Sequence, residues 1–290
     1  MTRILLIGKN GQIGWELYHA LQNIFEVTAL GRSELDITDH QAVMNIHTTL
    51  KPDIVINATG YNDVDAAERN VTEAKTVNIN GNTNLVQAAK HIQAFYITYS
   101  TDYIFDGRKS TAYIEEDTPA PLNVYGKTKL DGELAVESSG ANFLIIRTSS
   151  VFSLRRPCFL SNFLKQAKQG TQIHVRTDLV SSPTSAQFLA ESTAQIITMY
   201  KGDNFKFLAK LSGVYQLAGN GSASRYEWAK EIQNLLKLDI EIKPASYLDF
   251  QSGTTRPTFS ALNSAKFRDT FHIQLVPWQQ LLKETLKVTS

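Results

Sequence analysis

The chain has 290 residues, 42% of them hydrophobic and 20% charged, with a formal net charge of +1. This is the balance of an ordinary globular protein, long enough for one large domain or two smaller ones. Near-neutrality argues against nucleic acid as a partner, and no apolar run is long enough to cross a bilayer.

The N-terminus enters a strand-like segment directly, without the charged, apolar and cleavage regions of a secretory leader. Cys158 is the only cysteine, so no internal disulfide can form and a reducing, cytoplasmic setting is expected. Its simplest role is that of a small, partly buried residue. "TRILLIG" reads as a buried strand, and "GWELYHALQN" places apolar residues at helical spacing. "EVTAL" is a second strand, "DHQAVMNIHTTL" a helix capped by Asp39, and "PDIVINAT" a third strand. A single helix is expected over "VTEAKTVNINGNTNLVQAAKHI", then the strand "AFYITYS", the helix "VYGKTKLDGELAVESS" and the strand "FLIIRTS". Such alternation predicts a doubly wound parallel sheet, because each parallel crossover needs a helix to return the chain.

After residue 150 the alternation loosens. Helices are expected at "SNFLKQAKQ", "AQFLAESTAQIITMYK", "SRYEWAKEIQNLLKL" and "VPWQQLLKETLKV", with strands at "QIHVRTD" and "GVYQLAG". The expectation is an α/β protein whose Rossmann-type unit takes residues 1–150 and about 171–200. A smaller, interleaved C-terminal substrate-binding unit takes about 151–170 and 201–290.

Three glycines, Gly8, Gly11 and Gly14, stand between the first strand and the first helix in "IGKNGQIG". A turn free of side chains lets backbone N–H groups approach a pyrophosphate, and a helix N-terminus adds unpaired donors. After the second strand, "LGRSELD" offers Arg32, where a cation can meet a 2′-phosphate, and Asp36, which can contact the adenosine. Arg32 leans toward NADPH, and NADH stays open. In "NVYGKTK", Tyr125 and Lys129 lie four apart and so share a helix face. Ser100 and Thr101, in "YSTDYIFDG", fall at the carboxyl end of a strand, where ligands bind in open α/β sheets.

Together these stretches resemble the extended short-chain dehydrogenase/reductases, and within them the dTDP-4-dehydrorhamnose reductase family. The resemblance runs through "GKNGQIGWEL", "PDIVINATGYNDVDAAE", "TVNINGN", "YSTDYIFDG", "PAPLNVYGKTKLDGE", "IIRTS", "SPT" and the "RP" before "ALN". It implies reduction of the C4 ketone of dTDP-4-dehydro-6-deoxy-L-mannose to dTDP-L-rhamnose with NAD(P)H. Tyr125 is then the proton donor, Lys129 its electrostatic partner and ribose ligand, and Thr101 the hydrogen-bond donor to the substrate oxygen. The resemblance places Gly8, Gly11, Gln12, Ile13 and Gly14 at the pyrophosphate, and Arg32, Asp36 and Ile37 at the adenosine. Ala58, Thr59, Gly60, Tyr61 and Tyr99 lie along the cofactor, and Asn78 braces the active-site strands. Val64, Asp65, Thr101, Asp102, Tyr103, Ser150 and Arg256 are expected on the substrate side, with Arg256 offering a planar fork to the diphosphate.

The chain departs from the family in "RTSSVF", where Ser150 replaces a tryptophan beside the sugar, and in "SLRRPCF", where a glycine-rich loop is usual. A different 4-keto nucleotide sugar therefore remains an alternative, as does a non-catalytic binding subunit or, lower, an epimerase or dehydratase. Glu16 and Glu191 match only part of a magnesium-linked acidic set, so magnesium is not expected to be required. Monomer and homodimer both remain open.

Overall fold

The computed structural model describes all residues except Thr171, Asn204, Tyr247, Leu248, Phe250, Gln251, Ser252 and 288–290. Five strands arise in the first half: β1 (Arg3–Ile7), β2 (Glu26–Leu30), β3 (Ile54–Asn57), β4 (Phe95–Thr101) and β5 (Phe143–Thr148). With a sixth, Gly213–Gln216, they form one sheet in the order β2, β1, β3, β4, β5, Gly213–Gln216. All pairings in it are parallel. Side chains alternate across the strands, so β1 sends Ile4 and Leu6 into one core and Leu5 and Ile7 into the other. That is why the strands read as continuous apolar runs: both faces are covered.

The chain leaves β1 for β2 and returns past β1 to β3, which puts the reversal of strand order between β1 and β3. A crevice opens there at the carboxyl ends of the strands. The α-helices up to residue 200 are α1 (Gln12–Leu21), α2 (His40–Leu50), α3 (Val64–Arg69), α4 (Val71–Lys75), α5 (Asn82–His91), α6 (Val124–Glu137), α7 (Phe159–Ala167) and α8 (Ala186–Tyr200). Asp39 caps α2 as expected, accepting from the Ala42 amide at 3.0 Å. The single helix expected over 71–92 is interrupted: α4 passes into a π-helical turn, Thr76–Gly81, before α5 begins. The wider turn carries Asn78, whose side chain is buried.

Two later segments fall on the other side of the expected division. Strand Gln172–Arg176, grouped by sequence with the nucleotide-binding unit, pairs in parallel with Glu241–Ala245. Gly213–Gln216, grouped with the smaller unit, is the sixth strand of the main sheet. Between them α8 packs along α1. The main core accordingly continues from the sheet into the C-terminal region, through Phe152, Trp228, Phe267 and Leu282.

Candidate active site

The glycine loop turns tightly out of β1. Gly8 has φ of 99°, and a Cβ on Gly14 would lie 2.0 Å from the Gly8 carbonyl oxygen. Only glycines let α1 start so close to the loop. The N-cap of α1 is Gly11, with no side-chain cap and no acid in the first turn. The first amides of α1 thus lack helical partners and face the crevice side of the loop, a donor set that fits a pyrophosphate. A neighbour that sequence had marked only as a departure sits against this loop. Ser153 donates to Gln12 Oε1 at 2.8 Å, Arg156 to the Asn10 carbonyl at 3.3 Å, and Arg155 lies 4.2 Å over the Trp15 ring.

At the end of β2, Arg32 is 87% exposed and 3.8 Å from Glu73, so its charge remains available to a ligand. Asp36 accepts from the amide and hydroxyl of Thr38, at 2.9 and 2.8 Å, which holds its carboxyl below the usual range. The Ile37 side chain is buried. Its apolar stem turns into the core against Gly81, and its carbonyl is taken by Asn84 at 3.0 Å. Sequence reasoning passed over Glu34, which accepts from the Gly31 amide at 2.7 Å and pairs with Lys9 of the glycine loop at 2.6 Å. An acid just past a β2 strand was the available signal.

Ala58, Thr59, Gly60 and Tyr61 follow β3 and are partly exposed. Thr59 is held by Asn57 Oδ1, which accepts from its amide at 3.0 Å and its hydroxyl at 2.6 Å. Asn78 Oδ1 accepts from the Tyr61 amide at 2.8 Å. Its Nδ2 donates to the Tyr61 carbonyl at 3.2 Å and to Thr128 Oγ1 at 3.0 Å. One side chain therefore ties the loop after β3 to α6.

Asn123 caps α6 by accepting from the Gly126 amide at 2.8 Å, and its Nδ2 donates to the Thr255 carbonyl at 2.9 Å. A Cβ on Gly126 would lie 2.2 Å from the Tyr103 carbonyl oxygen. The glycine between the tyrosine and the lysine is what lets α6 press onto the chain after β4. Tyr125 thereby reaches Thr101. Burial pushes the phenol well above its ordinary range, the Thr101 hydroxyl draws it back down, and Asp102 and Tyr103 push it up. The phenol is thus held protonated at neutral pH.

Lys129 donates to the Tyr99 carbonyl at 2.7 Å rather than pairing with the phenol it was expected to acidify. Burial pulls its ammonium down to about 8, against the opposing pull of Glu133 one turn on. Tyr99 itself contributes backbone here. Its ring is buried and its hydroxyl bonds Thr193 at 2.7 Å. Asp102 is likewise enclosed, 3% exposed. It accepts from Thr101 at 3.2 Å, Ser149 at 2.8 Å and Ser260 at 2.5 Å, and burial raises its carboxyl pKa. Its role is to fix the turn that presents Thr101.

On the substrate side Val64 and Asp65 open α3, and Arg256 pairs with Asp65 at 2.7 Å. Tyr103 meets Tyr125 edge to face, ring centroids 5.7 Å apart, and its hydroxyl hydrogen-bonds with Arg256. Ser150 adopts a left-handed φ of 45° just past β5, with its hydroxyl 2.7 Å from that of Ser181. It also accepts from Arg225 at 3.2 Å, a residue sequence reasoning did not single out.

Away from this cleft, Glu16 on α1 and Glu191 on α8 face one groove. Burial raises the Glu16 carboxyl, His19 and Arg155 lower it, and Glu191 raises it further. Among the described residues no group of three His, Cys, Asp or Glu side chains is arranged to hold a metal, and no helix is long and apolar enough to cross a membrane.

The chain is similar to known proteins over its whole length. The family model described as "RmlD substrate binding domain" matches residues 1–290. A dTDP-4-dehydrorhamnose reductase of Burkholderia thailandensis is 35% identical over 285 residues, covering 96% of this chain and 95% of the relative. A crystal structure of a dTDP-4-dehydrorhamnose reductase from Clostridium acetobutylicum superposes with a TM-score of 0.92 at 30% identity, covering 99% of both chains. That of the Bacillus anthracis reductase, in complex with NADP, gives 0.91 at 27% identity over the whole of both chains.

Proposed function

The chain belongs to the dTDP-4-dehydrorhamnose reductase family, and we infer from its site that it reduces the C4 ketone of dTDP-4-dehydro-L-rhamnose to dTDP-L-rhamnose with NADPH. One observation carries this reading. Thr101 and Tyr125 meet at the carboxyl end of β4, one helical turn from Lys129, beside a glycine loop with free amide donors.

The reduced nicotinamide supplies a hydride when bound. Tyr125, kept protonated by burial, gives its proton to the oxygen that becomes negative as the hydride reaches C4. Thr101 donates to the same oxygen, and the two hydroxyls hold the ketone in line for transfer. Lys129, anchored on the Tyr99 carbonyl, presents its remaining protons to the nicotinamide ribose. Its positive charge favours the tyrosinate left after transfer. The exposed Arg32 supports the choice of NADPH over NADH, by meeting a 2′-phosphate. Asp65 and Arg256 form the substrate rim.

The test is NADPH oxidation with the 4-dehydro sugar generated in situ. Tyr125→Phe should cut kcat by about 100- to 10,000-fold, the usual worth of a positioned acid. NADPH affinity, read by fluorescence titration, should stay within about twofold, because the phenol is not needed to hold the dinucleotide. No oxidation with this sugar by the unaltered enzyme rejects the reading, and a fully active Tyr125→Phe rejects the proton donor.

A further inference from the structure

We propose that Arg225 is a substrate-recognition residue that binds the diphosphate of the nucleotide sugar together with Arg256. The proposal rests on the nucleotide-sugar reading above and adds a contact which that reading does not contain.

Arg225 is the first residue of helix Arg225–Leu236. Its backbone is fixed by a capping box between Ser224 and Glu227 and by a 3.1 Å bond from its amide to the Leu179 carbonyl. The guanidinium centre lies 4.8 Å from the Phe159 ring and 5.1 Å from that of Trp228. Among the described residues its side chain hydrogen-bonds to Ser150, whose hydroxyl is held in turn by Ser181. Ser150, which stands where the family resemblance expects a tryptophan, supplies an acceptor that aims the fork.

The electrostatics point to an anion. Among the described residues, no carboxylate lies within 4 Å of Arg225. The neighbours acting on its charge are the Tyr103 hydroxyl, the enclosed Asp102, Cys158 and, unfavourably, Arg256. Asp102 already accepts three hydroxyl protons. Arg256 thus bonds the Tyr103 hydroxyl, Arg225 acts on the same hydroxyl through space, and the Tyr103 ring meets that of Tyr125. Ring faces offset part of the cost of withdrawing a guanidinium from water, and an oxygen-rich anion offsets much more through paired N–H donors. In a nucleotide sugar the diphosphate is the only such group, since the sugar and base are neutral.

Calorimetric titration of the full-length protein with dTDP, thymidine and NADPH decides the matter. Arg225→Ala should weaken dTDP by about 10- to 100-fold, the range for hydrogen bonds to a charged partner. Thymidine and NADPH affinities should stay within about twofold, since neither reaches the Arg225 fork. Arg225→Met, which keeps an unbranched stem over the two rings, should lose dTDP to the same extent, so that packing alone cannot account for the loss. Unchanged dTDP binding in both variants overturns the proposal. So does an equal loss for thymidine or NADPH, which would mark a role in the base pocket or the fold. If the unaltered protein does not bind dTDP, the nucleotide-sugar reading itself fails and this inference falls with it. Binding of dTDP without dependence on Arg225 sinks this inference alone.

Discussion

Lys129 shows how much one buried residue sets for its site. Its ammonium is drawn out of water onto the Tyr99 carbonyl, and burial lowers its pKa to about 8. The unfolded chain has an ordinary lysine, near ~10.4, so between about pH 8 and that value it binds more protons than the folded state. Stability must then rise with pH through this window, and the burden of the buried charge is largest below about pH 8. Lys129→Met should therefore make the cofactor-free protein more stable at pH 7 while destroying its activity. The gap in unfolding free energy should close as pH rises past 8 toward 10. Urea unfolding of both proteins across that range checks it, and a gap that stays constant would show that Lys129 is not titrating. The proximity of Tyr125 and Lys129 was legible in sequence, because an i, i+4 pair on a helix is a local fact. The partner of the ammonium was not, because it lies thirty residues back on another strand. The burial of the Asp102 carboxylate and the Tyr99 ring was not legible for the same reason: a strand-end residue can face the cleft or the interior, and only the elements packed above it decide.

Beneath the catalytic turn, α6 is fastened to β5 by a charge pair that sequence periodicity does not mark. Arg147 reaches Glu133 through Nε at 3.1 Å and Nη2 at 2.7 Å, with the side chains 6% and 2% exposed. Neither charge can find water if the other is removed. Glu133→Gln should destabilise the protein by about 3–5 kcal/mol, the range for a broken buried pair. Replacing both residues by methionine should recover most of that loss, since apolar packing avoids both desolvation costs. Urea midpoints of the single and double variants test this, and a single variant within ~1 kcal/mol of the parent would show that the pair holds nothing. The elements themselves were well marked. β1, β3 and β4 announce themselves as apolar runs because both faces are covered. The π turn at Thr76–Gly81 was hidden, since its residues keep helical spacing on either side and widen only to bring Asn78 onto Tyr61 and Thr128. The partner of Gln172–Arg176 was hidden as well, because parallel pairing leaves no trace in either strand alone.

At the scale of the molecule, the path of the chain bears on how it unfolds. Chains of this length often unfold in stages. Here the C-terminal region is threaded through the sheet: the chain passes from Gln172–Arg176 to α8 against α1, back to Gly213–Gln216 in the sheet, and out again to Arg225–Leu236. These segments share one apolar core, in which the ring centroids of Phe152 and Phe159 lie 5.3 and 4.8 Å from that of Trp228. Opening the outer region alone would pull a strand from the sheet edge and strip α8 from α1. The expected outcome is one cooperative transition. Far-UV circular dichroism reports the whole sheet, and tryptophan fluorescence reports Trp15 near the glycine loop together with Trp228 and Trp278 in the C-terminal region. The two denaturation curves should coincide. NADPH at about 100 times its dissociation constant should move both together by about 2.7 kcal/mol, although its expected contacts lie in the first half of the chain. If fluorescence changes first and only the dichroism curve responds to NADPH, the C-terminal region unfolds on its own, and the continuous core does not bind the two regions into one unit.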